Sequence, residues 1–170
     1  MDMDTRQMRH ESIVGKNWKS FEEFDQRGKR AVTMCDRDLF ESNETMVPSR
    51  CRRVILHLDE DNLRDDGTPE REEFFRIATR EKALVDRLAD QSLNARLSAR
   101  RVEEGKVEMV FHVDDIDAFD EVVAEWMVDA PAELVELRTS WGFDYFERQI
   151  RSVVECDDAV RTTQPMRTAI

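Results

Sequence analysis

The fold of this chain is set by residues 106–126, which read KVEMVFHVDDIDAFDEVVAEW. The first half alternates apolar and other residues, which predicts a β-strand whose buried face carries Val107, Met109, Phe111 and Val113. Asp114 or Asp115 then suits a helix N-terminus, because a carboxylate accepts hydrogen bonds from the free backbone N–H groups there. The second half has apolar residues at helical spacing, at Ile116, Phe119, Val123 and Trp126. The stretch therefore predicts a strand that leads directly into an amphipathic helix.

The residues before this stretch predict a second strand and a second helix. A strand from Leu93 to Val102 is joined to it by a three-residue hairpin loop, Glu103-Glu104-Gly105. The preceding helix is expected to begin with Thr68 as its N-cap and Pro69 as its first residue, and to end near Asp90. Its predicted core residues are Phe74, Ile77, Ala78, Leu84, Val85 and Leu88. A strand from Arg52 to Leu58 comes before it.

Two further pairs of elements are predicted at the ends of the chain. Near the N-terminus, strands from Trp18 to Phe24 and from Lys29 to Cys35 enclose a turn that contains Gly28, which indicates a β-hairpin. Towards the C-terminus, a strand from Glu133 to Thr139 precedes an amphipathic helix from Gly142 to Glu155. The expected apolar side of that helix carries Phe143, Phe146, Ile150 and Val153.

Taken in order, the central elements predict an α+β fold. The series β-α-β-β-α-β between residues 52 and 139 is typical of a ferredoxin-like core, in which two helices cover one face of a four-stranded antiparallel sheet. The N-terminal β-hairpin and the C-terminal helix are additions to this core. We expect a flexible N-terminus over residues 1–16, a single α+β domain over residues 17–156 and a flexible tail over residues 157–170.

The charge of the chain limits its function. The formal net charge is −12, and no Lys or Arg occurs between Lys106 and Arg138, where ten Asp or Glu residues occur. Such a surface repels phosphate groups, which disfavours direct binding of nucleic acid and favours a basic protein partner. No apolar run approaches the ~18 residues that a membrane span needs. Three cysteines without metal-type spacing, together with a polar N-terminus, indicate a reduced, cytoplasmic protein.

Several short motifs are similar to those of a known family. The residues Trp18-x-x-Phe21 and Gly28-Lys29-x-Ala31 resemble the start of a bacterial family of unknown function, and the segment from Arg138 to Glu147, RTSWGFDYFE, resembles its end. The same closing segment is similar to the end of the protein regulators of ribonuclease E activity, a domain found beside this family in some proteins. The resemblance implies no catalytic residues. It implies, by analogy, a role in regulating a nucleic-acid enzyme.

The first candidate site lies on the open face of the predicted sheet. If the first and third core strands are parallel neighbours, His57 and His112 lie side by side. The three-residue loop then places Arg96 opposite His112 and Arg100 opposite Glu108. Two imidazoles and two guanidiniums could bind an anionic ligand or support acid–base chemistry. The alternative is an ordinary Arg100–Glu108 cross-strand pair with both histidines packed under the terminal helix. No third protein ligand for zinc is apparent.

The second candidate site is the polar side of the predicted acidic helix, which carries Asp117, Asp120, Glu121 and Glu125. Like charges four residues apart destabilise an isolated helix by a few tenths of a kcal/mol (~0.2–0.5) per pair, so stability alone does not select them. They serve either to dock a partner or to keep the protein soluble or adapted to high salt. The acidic loop from Asp59 to Gly67 has partly calcium-like spacing, but Arg64 occupies a ligand position, so we interpret it as a solvated turn without a metal.

These observations favour a non-enzymatic cytoplasmic regulator or adaptor that binds a basic protein through its acidic surface. Nucleic-acid enzymes are one class of partner that fits. No cofactor is expected, because the chain contains neither a Gly-rich phosphate loop nor a nucleophile or zinc motif. Two alternatives stay open: a binder of small anionic ligands or an enzyme that uses the open sheet face, and a structural homo-oligomer such as a homodimer.

Overall fold

The computed structural model describes Met8, residues 13–36, Asp38, residues 50–129 and the backbone of residues 134–140. The predicted C-terminal helix and the tail over residues 157–170 lie outside the described residues, as does nearly all of the N-terminal segment over residues 1–12.

The described chain contains six strands and two long helices. In chain order these are β1 (Trp18–Phe24), β2 (Arg30–Asp36), β3 (Arg50–His57), α1 (Arg71–Asp90), β4 (Ala95–Glu103), β5 (Lys106–Val113), α2 (Ile116–Val128) and β6 (Leu134–Ser140), with a short 3₁₀ turn at Glu60–Asn62. All the strand pairs are antiparallel, and the order across the sheet is β1-β2-β4-β5-β3-β6. The predicted α+β class and the N-terminal hairpin are confirmed. The order differs from that of a four-stranded ferredoxin-like sheet, because the hairpin pairs with β4 and extends the sheet to six strands.

The main core lies between the sheet and the two helices. The strand predicted at β5 is confirmed, and Val107, Met109, Phe111 and Val113 are each 3% exposed or less. The expectation of a single buried face was wrong for its second half, because Val110 and His112 are also buried. Phe111 contacts Phe119 of α2, with ring centroids 5.3 Å apart. Full burial of an aromatic or branched aliphatic side chain is worth about 1.5–3 kcal/mol, so this contact is a principal reason why α2 packs on β5.

The start of α1 differs from the prediction. The helix begins at Arg71, and Glu70 is its N-cap. Thr68 is held in the preceding loop by Asp66, which accepts hydrogen bonds from the Thr68 backbone N–H at 2.9 Å and from its hydroxyl at 2.6 Å. Pro69 pairs with Leu63 in an isolated β-bridge. The Thr-Pro signal therefore marks the end of a folded loop, two residues before the helix.

The β4–β5 hairpin also differs from the prediction in a way that changes the sheet register. Its loop has two residues, Glu104 and Gly105, with φ angles of 45° and 72°. Two positive φ values are typical of the tight type I′ turn. The shorter loop shifts the pairing by one residue, so that Arg101 rather than Arg100 lies opposite Glu108. A β-bulge between Leu97 and Ala99 then shifts it back, and the predicted pairing of Arg96 with His112 is confirmed.

Candidate functional site

The two histidines of the first candidate site lie far apart. β3 and β5 are antiparallel neighbours, and Cys51 pairs with His112 whereas His57 pairs with Lys106. Six residues of strand, or roughly 20 Å, separate the two positions. The expected parallel pairing was wrong, because the β4–β5 hairpin reverses the chain and makes β5 run opposite to β3. His112 is buried at 2% exposure, while His57 is half-buried at the end of its strand.

The sheet face on which His112 lies is buried at its centre. We call it the distal face, since it is the side of the sheet turned away from α1 and α2. A second apolar cluster lies there, formed by Phe21, Cys35, Cys51, Ala99 and Val110, each 5% exposed or less. Burial raises the pKa of the Cys35 thiol to about 11, although the nearby charge of Lys19 partly opposes this rise. This part of the face is core rather than an accessible pocket.

The two arginines of the candidate site are engaged by carboxylates. Arg96 donates from Nε to Oδ2 of the fully buried Asp36 at 3.0 Å. Arg100 donates from Nη2 to Oε1 of Glu81 on α1 at 2.5 Å, and its guanidinium lies 4.1 Å from the centre of the Trp18 ring. Because Glu81 belongs to α1, Arg100 lies on the helix side of the sheet, away from His112. An anionic ligand would have to displace both carboxylates.

The other charged groups on the distal face also form internal contacts. Arg53 pairs with Glu108. Arg101 contacts Glu23 and Glu103, and donates to the Thr33 hydroxyl at 2.8 Å. The bond to Glu103, followed by the charges nearby, raises the pKa of Arg101 despite its burial. These contacts join β1, β2 and β4, which is a structural role.

The acidic helix places three of its four candidate carboxylates in solvent. Asp117, Glu121 and Glu125 are exposed, and we call these three residues the acidic face of α2. Glu125 lies 3.8 Å from Arg87 of α1. The fourth residue, Asp120, is only 33% exposed and pairs with Arg52 of β3. Asp120 therefore contributes to the packing of α2 on the sheet.

The buried side of α2 holds this acidic face in a fixed position. Asp115 caps the helix by accepting a hydrogen bond from the Ala118 N–H at 3.0 Å. Phe119, Val123 and Trp126 are each 1% exposed or less. The prediction of this helix, of its cap and of its apolar side is confirmed.

A groove that sequence reasoning missed lies between the hairpin β1–β2 and the start of α1. We call it the aromatic groove; its volume is about 330 Å³, and its apolar lining consists of Val32, Met34, Pro69, Phe74, Phe75 and Val102. Phe74 was predicted to face the core, but it is 50% exposed, and Phe75 is 57% exposed. Ala78 was also predicted in the core and is exposed. No signal in the periodicity marked this exposure, because adjacent apolar residues can share one buried stripe, as Leu84 and Val85 do in the same helix.

Two classes of site are absent from the part of the chain that the structure describes. Within it, no group of three or more His, Cys, Asp or Glu side chains is placed to hold a metal ion. In the same described residues, no helix is both long enough and apolar enough to cross a membrane.

Comparison with known proteins identifies one family. Residues 16–142 match the sequence profile of the family of unknown function DUF695. The match covers 127 of the 170 residues, which confirms that the terminal motifs indicate an uncharacterised family. No curated protein and no solved structure gives a significant match to the chain.

Proposed function

We propose that this chain, which belongs to the DUF695 family, is a non-enzymatic cytoplasmic regulator or adaptor that binds a basic protein through the acidic face of α2. The observation that carries the proposal is the exposure of Asp117, Glu121 and Glu125 along one side of a helix whose other side is buried. Each pair four residues apart costs a few tenths of a kcal/mol (~0.2–0.5) in an isolated helix. A partner that supplies Lys or Arg side chains relieves this repulsion.

The rigidity of α2 supports binding by this surface. Because the cap and the core anchor the helix before any partner arrives, little ordering entropy is lost on association. Exposed charges of one sign also accelerate encounter with a surface of the opposite sign, and salt weakens this effect. Enzymes that act on nucleic acids have suitably basic surfaces, since they must neutralise phosphate groups.

The main alternative loses its support in the geometry. A small-ligand or enzymatic site around His57, His112, Arg96 and Arg100 needs these groups together. The histidines are roughly 20 Å apart along the strands, and the arginines are held by Asp36 and Glu81.

At the level of fold, we further propose that β3, α1, β4, β5, α2 and β6 form a ferredoxin-like unit to which the hairpin is added. Among these strands the order is β4-β5-β3-β6, with β2 beside β4. This order supports the proposal, because the hairpin then lengthens the sheet at one edge without separating the four strands.

The functional proposal is tested by reversing the charge of the acidic face. The variant Asp117→Lys/Glu121→Lys/Glu125→Lys leaves out Asp120, because that residue pairs with Arg52. A matched control, Glu60→Lys/Asp65→Lys/Glu104→Lys, makes the same change in net charge at exposed loop positions. The measurement is affinity capture of partner proteins from lysates of the cells in which the protein occurs naturally. The melting temperature of each variant shows whether it is folded.

We expect the wild type and the loop control to capture the same basic protein, and the acidic-face variant to lose it at an unchanged melting temperature. Exposed substitutions usually alter stability by about 0.5 kcal/mol or less per site. Association with the wild type should slow as salt is raised. If the acidic-face variant captures the same proteins as the wild type, the acidic face serves solubility and the proposal is wrong.

A further inference from the structure

The aromatic groove exposes two large apolar side chains next to each other. The rings of Phe74 and Phe75 lie edge to face with centroids 6.4 Å apart, and each is at least half exposed. Covering these two rings would remove further apolar surface from water, which favours binding. Contiguous exposed apolar residues of this kind mark interaction sites.

The rim of the groove is basic, in contrast to the charge of the whole chain. Arg30, Arg64 and Arg71 line it, and no acidic residue is among the described lining residues. Arg30 is paired with Glu22, whereas Arg64 and Arg71 form no ion pair with any residue that the structure describes. The Arg71 guanidinium lies 5.6 Å from the centre of the Phe75 ring. The groove therefore combines an apolar floor with a rim of three arginines, of which Arg64 interacts electrostatically with the carboxylate of Asp66.

The start of α1 carries charges of both signs, since Arg71 is its first residue and Glu72 and Glu73 follow in the first turn. The N-cap residue, Glu70, makes no capping hydrogen bond with its side chain. The first backbone N–H groups of a helix have no partner within the helix, and the helix dipole places partial positive charge there. The exposed carboxylates of Glu70 and Glu72 lie at this helix start, so Arg71 is the positive group that an approaching acidic side chain would meet there.

The dimensions of the sheet indicate how much of its helix side α1 and α2 cover. Neighbouring strands lie about 4.8 Å apart and a helix is about 10 Å wide, so one helix covers about two strands. The core cluster joins α1 and α2 to residues of β3, β4 and β5, and it also contains Ile13, with Trp18 of β1 packed against it. On the same side of β2, Val32 and Met34 are only half-buried and line the groove. Among the described elements, therefore, no helix fully covers Val32 and Met34 of the hairpin.

We propose that the aromatic groove is a second docking site and that it binds an acidic amphipathic helix of a partner protein. Apolar side chains at positions i, i+3, i+4 and i+7 of that helix would cover Phe74 and Phe75 and rest on Val32 and Met34. Its Asp or Glu residues would pair with Arg64 and Arg71. Aromatic residues, Met and Arg are the types enriched in protein interfaces, which matches this lining. With the acidic face of α2, the chain then carries two docking surfaces of opposite charge.

A selection from displayed peptides tests this proposal with the full-length protein. The probe is a phage-displayed library of helical 18-residue peptides, with apolar residues at helical spacing and all other positions randomised among Asp, Glu, Lys, Arg and Ser. We expect acidic peptides to be enriched on the wild type. Their affinity should fall at least tenfold for Phe74→Ala/Phe75→Ala and for Arg64→Glu/Arg71→Glu.

Matched controls separate local contacts from general effects. Val128→Ala removes another exposed apolar side chain, and Arg50→Glu/Lys106→Glu reverses two exposed positive charges elsewhere. Both should retain the selected peptides, and all variants should melt within a few degrees of the wild type.

Two results would overturn the proposal. The first is a selected pool that contains no acidic amphipathic peptides. One such result is a pool of basic peptides that bind the acidic face of α2 and whose binding is unchanged by the groove substitutions. That outcome leaves the function proposed for α2 intact. The second is self-association of the wild type that Phe74→Ala/Phe75→Ala abolishes, detected by sedimentation, since the groove would then belong to a second copy of the chain.

Discussion

The indole N–H of Trp126 donates a hydrogen bond of 3.0 Å to the backbone carbonyl of Arg80, and the Arg80 guanidinium lies 4.2 Å from the centre of the same ring. This relationship joins the last turns of α2 to the middle of α1. Burial, followed by the charge of Arg76, lowers the pKa of Arg80 below its usual value. The indole satisfies its polar N–H and buries its rings at the same time, which fixes the direction in which the acidic face points.

Replacing Trp126 by Phe should therefore destabilise the protein by about 1–3 kcal/mol. The substitution removes the hydrogen bond to Arg80 and leaves part of the indole volume empty in a site that is 1% exposed. Urea unfolding measures the change. Val128→Ala, at a position 77% exposed on the same helix, should change the free energy of unfolding by less than about 0.5 kcal/mol. Equal unfolding midpoints for the wild type and Trp126→Phe would show that this contact does not anchor α2.

Asp120→Asn should destabilise the fold, whereas Asp117→Asn should not. Asp120 pairs with Arg52, whose side chain is only 14% exposed, so the substitution replaces a charged partner of a largely buried guanidinium by a neutral one. We expect a loss of about 1–2 kcal/mol, between the values for surface and buried ion pairs. Asp117 is exposed and should give a change within about 0.5 kcal/mol. The free energies of unfolding of the two variants test whether Asp120 stabilises the fold and Asp117 does not. Identical values for the two variants would contradict this assignment.

Gly15→Ala should cost more stability than Gly28→Ala. Both glycines have positive φ, of 57° and 78°, so an alanine at either position carries a backbone penalty of about 1–2 kcal/mol. A Cβ on Gly15 would also clash with Oδ2 of Asp36, the carboxylate that holds Arg96, whereas a Cβ on Gly28 has no atom within 4 Å. Thermal unfolding should give the lower melting temperature for Gly15→Ala. The reverse order would show that the side chains of Asp36 and Arg96 move aside at little cost in stability.

The Cys35 thiol should make stability depend on alkaline pH. Its pKa is raised from 9.0 to about 11 in the folded protein, so between these values the folded state retains a proton that the unfolded state has lost. Its contribution is fully present below pH 9 and is lost as the pH rises towards 11, with a total of about 2–3 kcal/mol. Cys35→Ala should flatten this part of the curve of unfolding free energy against pH. Parallel curves for the wild type and the variant would contradict the raised pKa.

Residues 106–126 show why local elements can be predicted from this sequence. The alternation that predicted β5, the spacing of Phe119, Val123 and Trp126 in α2, and the cap at Asp115 each depend on contacts within a few residues. Burial of one face of a regular element requires a matching period in the sequence, and this period can be recognised without knowing the partner surface.

The site around His57 and His112 could not be predicted in the same way. Its geometry depended on the direction of β5 relative to β3, on whether the hairpin loop has two or three residues, and on a bulge near Ser98. A shift of one residue moves a side chain to the other face of a sheet, which is why Arg100 contacts Glu81 on α1 instead of Glu108. Gly105 is compatible with both a two-residue and a three-residue hairpin loop, so the sequence does not distinguish between these loops.

The sequence by itself determined the α+β class, the type and approximate bounds of the helices and strands, the surplus of acidic residues along α2 and membership of the family. The tertiary structure alone decided which of the candidate charges are available, because their ion pairs join residues that are distant in the chain. Asp120 is paired with Arg52, and Arg96 with Asp36, while Arg64 and Arg71 form no ion pair with a described residue at the rim of the aromatic groove. Periodicity shows which side of an element is apolar, but whether a neighbouring element covers that side depends on how the whole sheet is assembled.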